Sequence, residues 1–380
     1  MADYDFLVIG SGIAGASAAA MLAGRAGVAL FERESAHGYH TTGRSAALWS
    51  ALYGGDPIRA LTVASRAFYD SPPEGFAEHT LLRPRGCLYF AGPDQLPRLD
   101  EIAAGASALG IATRRLTTAE SVELCPVLIA DRVAGGLHER DAMDIDVNAL
   151  HQGFLRMCRG LGGDVRTEAE VVSLVRDRGE WSVGLKGGEA VTARVVVNAA
   201  GAWADVVAAM AGVAPVDLRP LKRTAFLLDE PDGVAARDWP AMIEADEAFY
   251  FKPESGKILV SPCDETPSAP CDAWPEDLDI AECVERLQAA ARIPVRRIVR
   301  SWAGLRSFVA DRTPVIGFDP EAEGFFWLAG QGGYGVQTAP AAGRVAAALA
   351  MGEDLPADVG ALGLGPGQLS PARFRGLAIR

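Results

Sequence analysis

Three glycines, Gly10, Gly12 and Gly15, stand in G-x-G-x-x-G spacing near the start of the chain, and a carboxylate, Glu32, follows Gly10 by about 22 residues. Residues of these types at this spacing can hold a dinucleotide. The first glycine permits a tight turn, and the second admits a pyrophosphate close to the backbone N–H groups of a helix N-terminus. The third lets helix and strand pack. The carboxylate accepts hydrogen bonds from ribose hydroxyls. Ile13 and Ala14 inside the turn and Arg33 beside the carboxylate complete this candidate set. A bare β-α turn would explain the glycines but leaves the acidic residue in register unexplained.

The elements that must position these residues are legible around them. Residues 5–9 form a short apolar run ending at a glycine, which suits a strand of a parallel sheet covered on both faces. A helix over about 12–22 and a second strand over 28–32 complete a β-α-β unit. From 82 to 144 the pattern breaks into short alternating pieces, with helices around 96–106 and 118–124. A helix over 147–161 and strands at 171–175, 180–185 and 191–198 return the chain to the nucleotide-binding unit. Residues 221–228, 248–252 and 257–261 alternate as antiparallel strands do, and 280–291 reads as a helix. A strand at 325–329, a glycine-rich turn at 330–335 and a helix over 337–350 close the first unit. The tail, 360–376, is rich in Gly, Pro and Ser and reads as loosely packed.

Bulk composition bounds the function. With 380 residues, 49% of them hydrophobic, the chain is large enough for two intertwined domains. Its 36 Lys and Arg against 49 Asp and Glu give a net charge of −13, with no basic run, so nucleic acid is not an expected partner. The six cysteines have no C-x-x-C spacing and read as reduced thiols of a cytoplasmic protein. The uncharged stretch 6–24 is too interrupted by glycine, and follows too acidic a start, for a signal peptide or a transmembrane segment. Peripheral membrane association is compatible with this composition. His37, His79, His138 and His151 lack metal-ligand spacing, so no metal is expected.

The fingerprint fits NAD and FAD alike. Its N-terminal place, and the following loop of small and hydrogen-bonding residues that can run along a long cofactor, favour FAD. Four segments then carry a resemblance over essentially the whole chain: Thr42-Gly43-Arg44-Ser45-Ala46-Ala47, Asn198-Ala199-Ala200-Gly201-Ala202-Trp203, Ser301-Trp302-Ala303-Gly304-Leu305-Arg306-Ser307-Phe308 and Gly330-Gln331-Gly332-Gly333-Tyr334-Gly335. Together they resemble the D-amino-acid oxidase superfamily, most closely its bacterial D-arginine dehydrogenases. The resemblance implies an α/β fold: a Rossmann-like, glutathione-reductase-type FAD-binding domain (1–80, 145–215 and 320–380) with an antiparallel-sheet substrate-binding domain (81–144 and 216–319). It also implies that Ser45, Ala46 and Ala47 pass the flavin, that backbone at Val171 meets the adenine, and that Gly201 lines the cofactor channel. Thr42, Gly43, Arg44, Trp203 and Gly304 join this set. Gly332, Gly333, Tyr334, Gly335, Val336 and Gln337 would lie along the isoalloxazine edge, with a helix starting near Gln337 aiming its positive end at the pyrimidine ring.

Oxidation at the Cα of an amino or hydroxy acid needs the substrate carboxylate fixed, which a planar guanidinium does bidentately. Arg306 and Arg223 match the carboxylate-binding arginines of the resembling dehydrogenases, Tyr250 and Tyr53 their pocket-closing tyrosines, and Gly333 completes the catalytic set. Leu48, Ser50, Cys87, Ile243 and Glu244 match the substrate pocket. Two positions depart from the D-arginine pattern: Cys87 replaces a glutamate that holds a cationic side chain, and Leu48 replaces a histidine. Losing that carboxylate removes a charge-assisted contact of about 1.5–3 kcal/mol, so neutral or apolar D-amino acids are expected over D-arginine unless Glu244 supplies a substitute charge. The expected reaction is hydride transfer from Cα to flavin N5, then imine hydrolysis to a 2-oxo acid and ammonia. A 2-hydroxy acid or a secondary amine of the glycine and sarcosine kind is the alternative substrate, and a non-catalytic dinucleotide-binding protein the alternative class. The electron acceptor is left open. His40 lies where some relatives attach flavin covalently; the resembling dehydrogenases carry a histidine here without that bond, so non-covalent FAD is expected.

Overall fold

A computed structural model describes residues 2–108 and 110–375. Strand Tyr4–Ile9 runs parallel to Val28–Phe31 on one side and Ala190–Asn198 on the other. Asp164–Arg166 and Phe325–Ala329 extend the parallel array outward, and the hairpin Val171–Asp177 and Glu180–Leu185 joins antiparallel to Ala190–Asn198, in a sheet of eight strands. Both faces are covered, which is why its central strands are apolar runs rather than alternating ones. Helix Ile13–Ala23 is almost entirely small and buried, so helix Gly335–Ala350 packs directly on it; a Cβ on Gly343 would lie 2.9 Å from that of Ser17.

The second sheet, of nine strands, is mostly antiparallel. Its long strand Arg219–Asp229 pairs along its length with Arg300–Phe308 and at its end with Lys257–Ser261. Tyr250–Glu254, Ala241–Glu244, Cys87–Ala91 and Gly135–Glu139 follow in order. Phe226, Met242, Phe251, Val260 and Leu88 point to one side and form a core with Ile280, Cys283 and Leu287 of helix Asp277–Ala290. The opposite face turns toward the first sheet. A three-stranded piece, Leu48–Trp49, Met143–Ile145 and Leu82–Pro84, sits between the two.

Several elements were not anticipated: helix Asp56–Asp70, and strands Gly135–Glu139, Ala241–Glu244, Arg300–Phe308 and Val315–Phe318. The closing helix begins at Gly335 rather than near Gln337. The expectation of a loose tail is corrected for residues 360–375. They form a short helix, Pro366–Leu369, and a turn, Pro371–Phe374, which bury Leu364 and Leu369 against the parallel-sheet core. Gly376, the last residue of that expectation, lies outside the described residues.

Candidate active site

A cavity of about 360 Å³, within the range of small-molecule clefts, runs from the carboxyl ends of Tyr4–Ile9 and Val28–Phe31 to the inward face of the nine-stranded sheet. At its near end Gly10 has φ +98°, and a Cβ there would lie 2.6 Å from the Ala199 carbonyl oxygen, so both conformation and space demand glycine. Gly12, Ile13 and Ala14 line the channel beside it. The Ile13 N–H, in the first turn of its helix, donates to Thr42 Oγ1 at 2.9 Å. Glu32 faces the channel with one oxygen held by both the N–H and the hydroxyl of Ser11, each at 2.9 Å.

The Ser11 hydroxyl is fixed from behind. His37 Nδ1 lies 2.9 Å from it, and an Arg159 N–H lies 3.0 Å from His37 Nε2. A guanidinium can only donate, so His37 accepts at Nε2, carries its proton on Nδ1, and leaves Ser11 to donate to Glu32. Burial and the nearby Arg159 both hold the His37 pKa below its ordinary value, in keeping with this neutral form.

Further along, Arg33, Thr42, Arg44, Ser45, Ala46, Ala47, Val171, Gly201 and Trp203 all line the same channel. Gly304, Gly332, Gly333, Gly335, Val336 and Gln337 join them at the far wall. Arg44 also straps the loop to the second sheet, donating to the carbonyls of Ala303 (2.8 Å) and Ala273 (3.0 Å) and pairing with Asp272. Gly15, Gly43 and Tyr334 do not reach the cavity wall. Gly15 packs on the Gly10 carbonyl, Gly43 donates its N–H to Gly38, and the Tyr334 ring stands behind Tyr53 at 4.8 Å. His40 lines the channel, but its Nε2 is 2.9 Å from Glu34 Oε1. Its ring packs at 4.7 Å on Trp203, which also lies under the Arg33 guanidinium.

The far end is assembled by strand register. Arg223 pairs with Gly304, and Leu221 with Arg306, so the two arginines are diagonal neighbours on one face of adjacent strands. Ser261 pairs with Tyr250, and Ile243 with both Tyr250 and Tyr89, which carries the same face across to Cys87 and Glu139. Arg306 lies deep in the molecule yet keeps accessible surface, because what it faces is the cavity. One of its N–H groups donates to the Tyr53 hydroxyl at 2.9 Å, and no carboxylate among the described residues lies within ion-pair distance of it. A Cβ on Gly333 would meet the guanidinium carbon at 2.8 Å, so glycine leaves it room. Arg223 is more constrained, donating to the Asp264 carbonyl at 2.9 Å and pairing with Glu265 at 3.4 Å. Burial raises the Tyr250 phenol above its usual range although both arginines pull it down, so it stays a neutral O–H.

Leu48, Ser50 and Ile243 line this end of the cavity, and Tyr89, Ala241, Lys252, Cys263 and Glu247 join them unannounced by the sequence. Burial opposes the charge of Lys252, but Asp144 at 2.7 Å and Glu254 at 2.9 Å outweigh it and hold its pKa up. Burial pushes the Cys263 thiol up to about 11. Two pocket expectations are corrected. Cys87 is fully buried in an apolar cluster with Leu52, Leu99 and Leu137 and does not line the cavity. Glu244 closes a turn instead, accepting from the Gln95 amide and from the N–H groups of Asp246 (3.0 Å) and Ala248 (3.1 Å), and supplies no charge to the pocket.

Residues 5–349 match the family model described as DAO, FAD dependent oxidoreductase. The chain belongs to this family. Human mitochondrial sarcosine dehydrogenase is 26% identical over 85% of the chain, which spans only 37% of that protein. The beta subunit of Rhodobacter capsulatus sarcosine oxidase is 24% identical over 91% of the chain and 84% of its own length. Among solved structures, glycine oxidase from Geobacillus kaustophilus superposes with TM-score 0.80 at 23% identity, covering 93% of this chain and 96% of that one. L-proline dehydrogenase from P. horikoshii does so with TM-score 0.80 at 21% identity over 99% of each chain, and both establish the fold. This DAO-family chain is an FAD-dependent oxidoreductase, and its channel fits the cofactor. Gln331 Nε2 and Ser307 Oγ, both on residues lining the channel, are buried with no hydrogen-bond partner among the described residues, as groups awaiting a polar ligand would be. Among the described residues no helix is long and apolar enough to cross a membrane.

Proposed function

We propose that this chain oxidises the Cα–N bond of a small amino acid without a charged side chain, gripping its carboxylate with Arg306 and Arg223. The observation that carries the reading is Arg306, a permanently charged group deep in the molecule that faces the cavity with a single neutral partner. Burying such a charge costs several kcal/mol unless an anion joins it, and a substrate carboxylate at this point offsets that cost. Its planar fork sets the carboxylate's orientation, while Arg223, held by Asp264 and Glu265, approaches from the neighbouring strand. The Tyr53 and Tyr250 side chains close the pocket and offer hydroxyls to hydrogen-bond the substrate. FAD, held without a covalent bond, supplies the hydride acceptor. An amine entering unprotonated needs no general base, and the imine released hydrolyses to a 2-oxo acid and ammonia or an amine.

Sarcosine dehydrogenase, sarcosine oxidase and glycine oxidase are among the similar proteins, which favours glycine and N-alkyl glycines as the first substrates to test. The apolar wall of Leu48, Ile243, Ala241 and Tyr89 favours, as a second reading, D-amino acids with apolar side chains. A 2-hydroxy acid is disfavoured because its hydroxyl proton needs a base. His40 alone among the histidines lines the cavity, and it is bonded to Glu34 beside Trp203. The test is anaerobic mixing of the yellow holoenzyme with glycine, sarcosine, D-alanine, D-arginine and lactate, followed by flavin absorbance. Bleaching by an uncharged amino acid is expected; faster bleaching by D-arginine or lactate, or none by any of them, overturns the reading.

A further inference from the structure

Glu139 ends strand Gly135–Glu139 on the inward face of the nine-stranded sheet, opposite Cys87, and is 1% exposed. Its carboxylate has no cationic partner among the described residues. It receives the Ser50 hydroxyl at 2.6 Å on one oxygen and the Ala51 N–H at 2.8 Å on the other. Both donors belong to the short loop between strand Leu48–Trp49 and helix Asp56–Asp70, the loop that carries Tyr53. The other side-chain hydrogen bonds to the backbone of this loop are longer: Arg59 of the following helix donates to the Leu52 carbonyl at 3.2 and 3.3 Å, Ser50 N reaches Gln337 Oε1 at 3.5 Å, and Gln337 Nε2 reaches the Tyr53 carbonyl at 3.4 Å.

We infer that Glu139 is a positioning residue for substrate binding: it pins the loop 50–53 to the substrate sheet and so holds the Tyr53 hydroxyl on Arg306. Three links make the chain. The carboxylate fixes the backbone at Ala51, two residues on the Tyr53 hydroxyl accepts from Arg306 at 2.9 Å, and Arg306 faces the place where the substrate carboxylate binds. The last link rests on the proposed function; the first two do not. The titratable groups around Glu139 are Cys87 and Tyr89 on the paired strand and Asp141 beyond the turn. None of them is a cation that could compete for it.

The choice of an acid is informative, because only a carboxylate accepts on both oxygens without condition. A glutamine can reproduce the arrangement only by turning its oxygen to the Ala51 N–H and its NH₂ to a Ser50 hydroxyl that accepts. Glu139→Gln therefore keeps the clamp, and Glu139→Ala removes it.

The test uses full-length holoenzyme of wild type, Glu139→Ala, Glu139→Gln, Ser50→Ala, Tyr53→Phe and the Glu139→Ala/Tyr53→Phe double variant. Amide hydrogen exchange of the segment containing residues 50–53 is read first. We expect it to accelerate about tenfold or more in Glu139→Ala, less in Ser50→Ala, and to return near wild type in Glu139→Gln. Unchanged exchange in Glu139→Ala overturns the inference. Should the alanine variant at 139 not fold, unchanged exchange in Ser50→Ala overturns it instead. Substrate affinity is read second, from the concentration dependence of anaerobic flavin reduction. Glu139→Ala should raise the apparent Kd about tenfold with the limiting reduction rate changed less than threefold, and adding Tyr53→Phe should cost nothing more. Additive effects in the double variant overturn the inference. Failure of wild type to be bleached by any amino acid sinks the proposed function, while hydrogen exchange still decides whether Glu139 holds the loop.

Discussion

Replacing Arg306 with methionine separates binding from folding, and the structure says how far. A bidentate guanidinium–carboxylate pair is two charge-assisted hydrogen bonds of about 1.5–3 kcal/mol each. Arg223 remains on the neighbouring strand to hold part of the substrate, so the expected loss is toward the lower end, about 3–4 kcal/mol, or roughly 10²–10³ in kcat/KM at 1.4 kcal/mol per factor of ten. The same change should not lower stability. Among the described residues Arg306 has no acidic partner to strand and hydrogen-bonds to a tyrosine hydroxyl at the cavity, and methionine fills similar length without a charge to desolvate. Steady-state kinetics on the best substrate of the panel, and thermal unfolding of the FAD-loaded variant, read the two effects. Arg306→Lys should fall between, keeping the charge and losing the fork. A kcat/KM within tenfold of wild type refutes the carboxylate assignment. A Tm drop of the size expected for a core truncation shows that Arg306 is a structural cation.

Gly333→Ala places a methyl where the Arg306 guanidinium now lies, at 2.8 Å, without demanding an unusual φ; KM should rise about tenfold with Tm nearly unchanged. Glu32→Ala removes the acceptor that Ser11 orients, and FAD titration of apoprotein should show roughly ten- to hundredfold weaker binding. Acid precipitation should release all flavin into a yellow supernatant, since His40 Nε2 is engaged by Glu34. Burial raises the Glu139 carboxyl from its ordinary 4.5 to about 7 despite the Ser50 and Ala51 bonds, so the folded state binds this proton more tightly than the unfolded chain. That stability is present below about pH 4.5 and lost as pH rises through 7. Wild type should therefore fall behind Glu139→Gln by up to about 3 kcal/mol between pH 5 and pH 8 in denaturant titrations.

The parallel half of the fold was legible because its rules are local. An apolar run, three glycines, a small-residue helix and a carboxylate at the next strand end fall in one stretch of sequence, and the structure puts them at one end of one channel. The expected strands at 180–185, 257–261 and 325–329 and the helix over 118–124 appear as Glu180–Leu185, Lys257–Ser261, Phe325–Ala329 and Thr118–Leu124. Cys87 and Glu244 failed for a different reason. Each sits within two residues of one that lines the cavity, Tyr89 and Ile243. Glu244 has the opposite orientation, since neighbours along a strand point to opposite faces, while Cys87 shares the face of Tyr89 but lies beneath the loop that carries Leu52. Helix Asp56–Asp70 carried a readable apolar period and an acidic first turn, the signal that would have located the far anchor of the Tyr53 loop.

Three of the cavity-lining residues that went unread, Tyr89, Ala241 and Lys252, share one face of one sheet with Arg223, Arg306 and Tyr250, and that explains why they did. Alternation in Arg223-x-Ala225, Tyr250-x-Lys252 and Leu137-x-Glu139 has the pattern of strands with one face in a core and the other in water. In this fold the second face is roofed by the cofactor-binding unit, so side chains that would be solvated on an isolated sheet are enclosed together. Each buried charge there must then find a partner or await one. Lys252 has Asp144 and Glu254, Arg223 has Glu265, and Glu139 has two neutral donors from the loop. Arg306 is left over, and a charge left over in a closed site is the place where a ligand of opposite sign belongs. Strand register, which no spacing in a single sequence encodes, decides which charge that is.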